Sequence, residues 1–231
     1  AYFTDTKSAT NTFTVGNVKI DLIESRYHRQ GSGSSGDTSI PAPTQTASGM
    51  DYVANGSTIF TDEEIKADAA KYSDYIGERG KNMVPGKNIA KSPYVINTGA
   101  NDAYIRIRVM IPADLDTAVL NSSMYTSSAM LKKEFTMAYD NSGTVEREGV
   151  KYNVYTFTRI DPLAAGAMTY WNVWGTIHMD PDTTGEELAK FFGEGKPYAN
   201  GVFPVLVEAD GIQADGFADA AAAWKAFDKQ A

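Results

Sequence analysis

Between Ala103 and Pro112 the chain reads Ala-Tyr-Ile-Arg-Ile-Arg-Val-Met-Ile-Pro, with Ile105, Ile107, Val109 and Ile111 at every second position. A period of two is the repeat of a β-strand, so it places these four residues on one face and Arg106 and Arg108 on the other. Such a strand must bury its apolar face against a second layer, and the chain supplies further strands to build one. Residues 94–99, 133–139, 150–157, 168–177 and 205–207 are rich in aromatic and β-branched side chains, the composition of strands. Turn residues punctuate them, at Pro85-Gly86 and at Asn141-Ser142-Gly143. Strands separated by turns, without a helix after each, predict a mainly β fold: an antiparallel β-sandwich with a few short peripheral helices.

Three segments carry helical signals. Thr61-Asp62-Glu63-Glu64 has the form of a capping box, followed by Ile65, Ala69, Tyr72 and Ile76 at helical spacing and a stop at Gly77. Thr183-Thr184-Gly185-Glu186-Glu187 caps a second helix ending near Gly193. Phe217, Ala221, Trp224 and Phe227 form the apolar stripe of a third. Residues 113–133 suit either helix or loop.

With 231 residues, 42% of them hydrophobic, residues 12–231 suffice for one β-sandwich domain. Residues 29–60 read as an exposed Ser, Gly and Pro-rich loop inserted in it. Gly31, Gly33 and Gly36 match a dinucleotide-binding spacing, but no strand leads into them and no helix follows. The net charge of −8, without a basic cluster, argues against nucleic acid or an anionic membrane as partner. No cysteine is present, which excludes disulfides and thiolate chemistry. No apolar run approaches the ~18 residues of a membrane span. The first residue is Ala1, as expected of a mature, secreted product after removal of a leader.

The first strand signal changes face partway. Phe13 and Val15 are odd-numbered while Val18, Ile20 and Leu22 are even, so a bulge at Gly16-Asn17 is expected to reset the parity. Ahead of it stand Ala1, Tyr2, Phe3, Thr4, Asp5, Thr6, Lys7, Ser8, Ala9, Thr10 and Asn11, with an aromatic pair, no turn residue and no helical period. This segment is β-competent but has no obvious partner in its own neighbourhood. It reads either as a donor strand for another chain, anchored by Tyr2 and Phe3, or as a tail or ordinary edge strand of its own subunit. Burying the two anchors contributes about 1.5–3 kcal/mol each, and some six ladder hydrogen bonds about 0.5–1.5 each. Association costs about 4–15 kcal/mol, so a donor strand requires subunit faces to touch as well.

Chemistry-bearing motifs are sparse. The two histidines, His28 and His178, lie far apart with no H-E-x-x-H, and no G-x-S-x-G elbow occurs, so no catalytic residue, metal ligand or cofactor is assigned. Asp180-Pro181-Asp182-Thr183-Thr184-Gly185 opens like a calcium loop, yet Phe191 stands where the bidentate Glu belongs. Its acidic residues are explained as charges at a helix N-terminus. Tyr170, Trp171 and Trp174 suit a sugar platform or, more ordinarily, a sandwich core. Asn55-Gly56-Ser57 and Asn121-Ser122-Ser123 are glycosylation sequons.

Several blocks, taken in order, resemble the camelysin/TasA family of secreted surface and biofilm-matrix proteins, which has related archaeal pilins. They are residues 5–13 leading into Gly16-Asn17-Val18, then Val84-Pro85-Gly86-Lys87, Val95-Ile96-Asn97-Thr98-Gly99, Ala103-Tyr104-Ile105-Arg106 and Ile212-Gln213-Ala214-Asp215-Gly216-Phe217. Residues 29–82 and 113–200 do not align, and Asp210-Gly211 is more polar than the family's pattern. The resemblance implies a jelly-roll sandwich that polymerises head to tail by donor-strand exchange, residues 1–11 of one subunit completing a sheet of the next. It implies an extracellular filament whose partner is the chain itself, and leaves open whether a minor anchor or tip protein is needed besides. Camelysins have also been described as cell-surface metalloendopeptidases, the alternative function.

Overall fold

The computed structural model describes residues 4–8, 18–25, 61–72, 85–86, 89–124, 128–129 and 131–230. The expectations placed on Ala1 to Phe3, Ala9 to Asn17, the 29–60 loop, His28, Asn55, Ile76 and Gly77 lie outside these residues.

Among the described residues the strands are β1 (Thr4–Ser8), β2 (Ile20–Glu24), β3 (Ile89–Ala90), β4 (Pro93–Asn97), β5 (Ala103–Pro112), β6 (Leu120–Met124), β7 (Phe135–Arg147), β8 (Val150–Arg159), β9 (Trp174–Met179) and β10 (Leu206–Gln213). The α-helices are α1 (Asp62–Tyr72), α2 (Gly185–Leu188) and α3 (Ala220–Asp228). One five-stranded sheet runs in the order β1-β10-β5-β8-β7, and β2-β4 and β3-β9-β6 form two smaller sheets. All these strand pairs are antiparallel.

The alternation in β5 sets the layering. Ile105, Ile107, Val109 and Ile111 are fully buried and share one core with Val18, Ile20 and Val95 of the β2-β4 side and with Trp174 and Ile177 of β9. Each such side chain contributes about 1.5–3 kcal/mol by leaving water. The fold is thus mainly β, with antiparallel sheets packed as a sandwich around this core.

The opposite face of β5 is also covered. Tyr104 packs with Ile212, Ala223 and Trp224, where α3 lies over the sheet. The Asp219 side chain starts that helix by accepting the Ala222 N–H at 2.8 Å. The buried alanine of the helix is Ala223, while Ala221, placed in its apolar stripe from the sequence, is exposed.

Helix α1 begins with the expected capping box. The Glu64 carboxylate accepts the Thr61 N–H at 2.8 Å, and the Thr61 hydroxyl accepts the Glu64 N–H at 3.2 Å. Ile65 is buried with Tyr94 and Met168, which docks the helix on β4. Helix α2 has the same box, between Thr184 and Glu187, but spans only Gly185–Leu188 and ends before the expected Gly193.

Other elements depart from the sequence reading. Asn141-Ser142-Gly143 is not the turn between the strands of the hairpin but a bulge inside β7. The register moves from Asp140↔Val154 to Val145↔Tyr152, leaving residues 141–144 opposite Asn153 alone. The reversal occurs at Glu148-Gly149, with φ of 50° and 80°, the doubly left-handed geometry that matches strand twist in a two-residue hairpin. Strand β9 starts at Trp174 and not at Met168, because the Asn172 side chain accepts the Trp174 N–H and breaks the run. The described residues of 113–133 hold turns, the polar strand β6 and a 3₁₀ turn at Leu131–Lys133. Strand β10 continues through Asp210-Gly211 in one unbroken register with β5.

Candidate functional site

The candidate donor segment is found on the chain's own sheet. Backbone pairing runs Thr4↔Ile212, Asp5↔Gly211, Thr6↔Asp210, Lys7↔Ala209 and Ser8↔Glu208, so β1 is the edge strand beside β10. Among the described residues Thr4–Ser8 have no partner in their own sequence neighbourhood; they pair with β10, about 200 positions away along the chain. This is the own-subunit edge strand that the sequence left open beside the donor strand, a non-local pairing that local patterns do not reveal. Ala1, Tyr2, Phe3, Ala9, Thr10 and Asn11 of the expected donor lie outside the described residues.

Strand β10 is braced on both faces. On the inside, Gly211 leaves room for β2, since a Cβ there would stand 3.1 Å from Ile20 Cγ2 and 3.2 Å from Val18 Cγ1. On the outside, Asp210 is fully buried, and its Oδ2 accepts from Arg106 Nε and Nη2 at 3.2 and 3.0 Å and pairs with Arg108 at 3.0 Å. Arg108 also holds Glu208 at 3.1 Å, and Arg106 reaches Asp228 of α3 at 3.0 Å. The Arg106 guanidinium lies 4.5 Å from the centre of the Trp224 ring and 5.2 Å from that of Phe227, a cation–π contact on each. Paired charges of this kind, removed from water, are stable only with such hydrogen bonds and hold their strands in one geometry. Glu208 and Asp210 are thus the carboxylates that pair with the arginines of β5.

The remaining sequence candidates are distributed elsewhere. Asp180 Oδ1 accepts the Asp182 N–H at 2.8 Å and Oδ2 accepts Asn121 Nδ2 at 2.9 Å, so the calcium-like stretch is a turn leading into α2. Those bonds, with His178 nearby, hold the Asp180 carboxyl below its ordinary range, and Thr184 does the same for Glu187. His178 stands opposite Asn121 in the β6-β9 pair, with its Nδ1 buried and unpartnered. Among the described residues no group of three or more His, Cys, Asp and Glu side chains could hold a metal ion.

Of the three aromatic residues, Trp174 is fully buried in the core and donates Nε1–H to the Thr176 carbonyl. Tyr170 and Trp171 meet edge to face, and both donate their backbone N–H to Glu134, which also accepts from Arg159 Nε at 3.0 Å. Glu134 thus ties the 170–171 segment to β8. A carboxylate preceding a strand carries no sequence pattern that would have singled it out. Nor does the sequence single out Asp116, buried in the turn between β5 and β6, where it accepts from Asn153 Nδ2 and Tyr155 Oη, both at 2.8 Å.

Among the described residues no helix is long and apolar enough to cross a membrane. In comparisons with known proteins, no family model, curated protein or solved structure matches the chain.

Proposed function

We propose that the chain is a structural subunit of an extracellular filament, a biofilm-matrix fibre or pilus, that grows head to tail when β1 of one copy takes the β1 place on β10 of the next. The observation that carries this reading is the position of β1: an edge strand whose ladder partner among the described residues is β10, with residues 9–17 following it in the chain. Nine residues extend to about 30 Å, enough to reach a neighbouring molecule.

Exchange in trans keeps every backbone bond of the Thr4↔Ile212 to Ser8↔Glu208 ladder. At the strand itself, swapping is close to energetically neutral, so the faces brought together decide whether it occurs. The braced geometry of β10 supports the reading further. With Gly211 on one side and the Arg106–Asp210 pair on the other, β10 keeps its shape while β1 leaves and another copy enters. A heterologous contact of this kind propagates into a fibre unless the rotation closes a ring. Its seat is the cell surface or matrix after secretion, and its partner is the chain itself, with a minor anchor or tip protein as a further partner.

Electron micrographs of the purified protein test this. Filaments are expected, and deletion of residues 1–11 is expected to abolish them while far-ultraviolet circular dichroism shows a folded monomer. Filaments that persist after the deletion overturn the proposal. Casein digestion inhibited by chelators and abolished by His178→Ala would replace it with the metalloendopeptidase.

A further inference from the structure

The turn between β5 and β6 contains a residue that its backbone disfavours. Thr117 has φ of 62°, a left-handed conformation that β-branched side chains resist. The turn is held there from both ends: Thr117 N–H donates to the Leu120 carbonyl at 2.9 Å, and the Leu115 carbonyl accepts the N–H groups of Ala118, Val119 and Leu120. Strain retained in this way accompanies binding sites more often than plain connections.

Beside it is a buried carboxyl group without a cationic partner among the described residues. Asp116 is 6% exposed, and the side chains that donate to it, Asn153 and Tyr155, are neutral and share Oδ2. Among the described residues no lysine, arginine or histidine pairs with it. Buried carboxylates ordinarily have a cation against them. A cavity of about 200 Å³ opens at this point, lined by Asp116, Thr117, Asn121, Ser122, Met124 and Tyr155. Ser122 lines it as well, but its hydroxyl oxygen is buried beneath the cavity wall.

We propose that this cavity binds a primary alkylammonium group. A single positive charge matches the one carboxylate, whereas a calcium ion requires six or more oxygen ligands with several anionic ones among them. The ammonium N–H donors suit the Asp116 carboxylate, which among the described residues has only neutral donors. The Tyr155 ring offers a cation–π face, and Met124 a soft apolar wall for the alkyl chain. The group belongs either to a free amine or to a lysine side chain of a polypeptide, and the site does not depend on β1 or on filament growth.

The full-length, isotope-labelled protein is titrated with n-butylammonium, Nα-acetyl-lysine methylamide, tetramethylammonium and calcium, following backbone amide resonances. Saturable shifts at Thr117, Asn121 and Ser122 are expected with the two primary amines and not with the other two. The tighter of the two primary amines identifies the source, and either result upholds the proposal. Asp116→Asn, which keeps a shape able to accept from Asn153 and Tyr155, is expected to abolish binding. No saturable shift with either amine, equal binding of tetramethylammonium, tighter binding of calcium, or full affinity in folded Asp116→Asn overturns the proposal.

Discussion

Gly211 and Ile20 meet where β2 crosses the inner side of β10: a Cβ on the glycine would stand 3.1 Å from Ile20 Cγ2. Val18 Cγ1 would be 3.2 Å away on the same side, and both residues are fully buried, so neither has room to retreat. Gly211→Ala is therefore expected to destabilise the fold by about 1–3 kcal/mol through overpacking. Each kcal/mol lowers Tm by about 2–4 °C in a chain of this size, which calorimetry resolves. Gly185→Ala is the control, because a Cβ there meets nothing within 4 Å. That variant is expected to be neutral or stabilising by about 0.4–1 kcal/mol. Equal Tm values for the two would show that the β2–β10 crossing is not tight.

The ion pairs over β10 make a second case. Asp210→Ala leaves Arg106 and Arg108, whose side chains are 12% and 21% exposed, without their shared carboxylate. Breaking a buried pair from one side costs about 3–5 kcal/mol. The charged neighbours Asp228 and Glu208 remain, so the lower end of that range is expected. Adding Arg106→Met to Asp210→Ala is expected to cost less than the sum of the single changes, a coupling of about 0.5–3 kcal/mol read from a denaturant cycle. Additive costs would mean that the pair does not act as a unit.

Alkaline pH probes two tyrosines. Burial pushes the Tyr155 phenol up, helped by the Asp116 carboxylate, and burial with the Asp114 carboxylate at 2.7 Å does the same for Tyr198. A phenol whose folded pKa is raised stays protonated while the unfolded chain ionises. Its stabilisation is therefore complete below the unfolded value near 10 and is lost as pH rises toward the folded one. Denaturant midpoints are expected to fall as pH rises past about 10, and to fall less steeply in Tyr155→Phe. Tyrosinate absorbance should show a late component that shrinks in that variant. A titration in which Tyr155→Phe changes nothing would place the late phenols elsewhere.

What was legible in the chain followed the physics that local sequence carries. The period of two in β5 is confirmed by four fully buried aliphatic residues, and both capping boxes form because each needs only a hydroxyl and a carboxylate three residues apart. Long-range relationships were not legible. Asp210-Gly211, beyond the strand expected at 205–207, belongs to β10 because Arg106 and Arg108 stand across the ladder and Ile20 stands beneath it. The hairpin turn was misplaced because Asn141-Ser142-Gly143 has stronger turn chemistry than Glu148-Gly149. The bulge absorbs the first, with Asp140 Oδ1 accepting the Ser142 N–H at 2.9 Å, and the chain reverses at the second. Strand β6, Leu-Asn-Ser-Ser-Met, has almost no strand composition and exists because β9 lies beside it.

The pairing of β1 with β10 also allows the destination of the first strand to be read directly. Lys7 and Ala209 are register partners, and the chain contains no cysteine of its own. Directly opposed residues in an antiparallel pair have Cα atoms about 4.5–5.5 Å apart, within the span a disulfide bridges. Lys7→Cys with Ala209→Cys, oxidised at a concentration that yields filaments, is therefore expected to join subunit to subunit. On a non-reducing denaturing gel the product should be a ladder of covalent multimers that collapses to monomer on reduction. Mixing the two single variants should give covalent dimers, which a pairing confined to one molecule would never produce. If oxidation of the double variant yields only a faster-migrating monomer while filaments are present, β1 stays on its own β10 and the fibre is held by other faces.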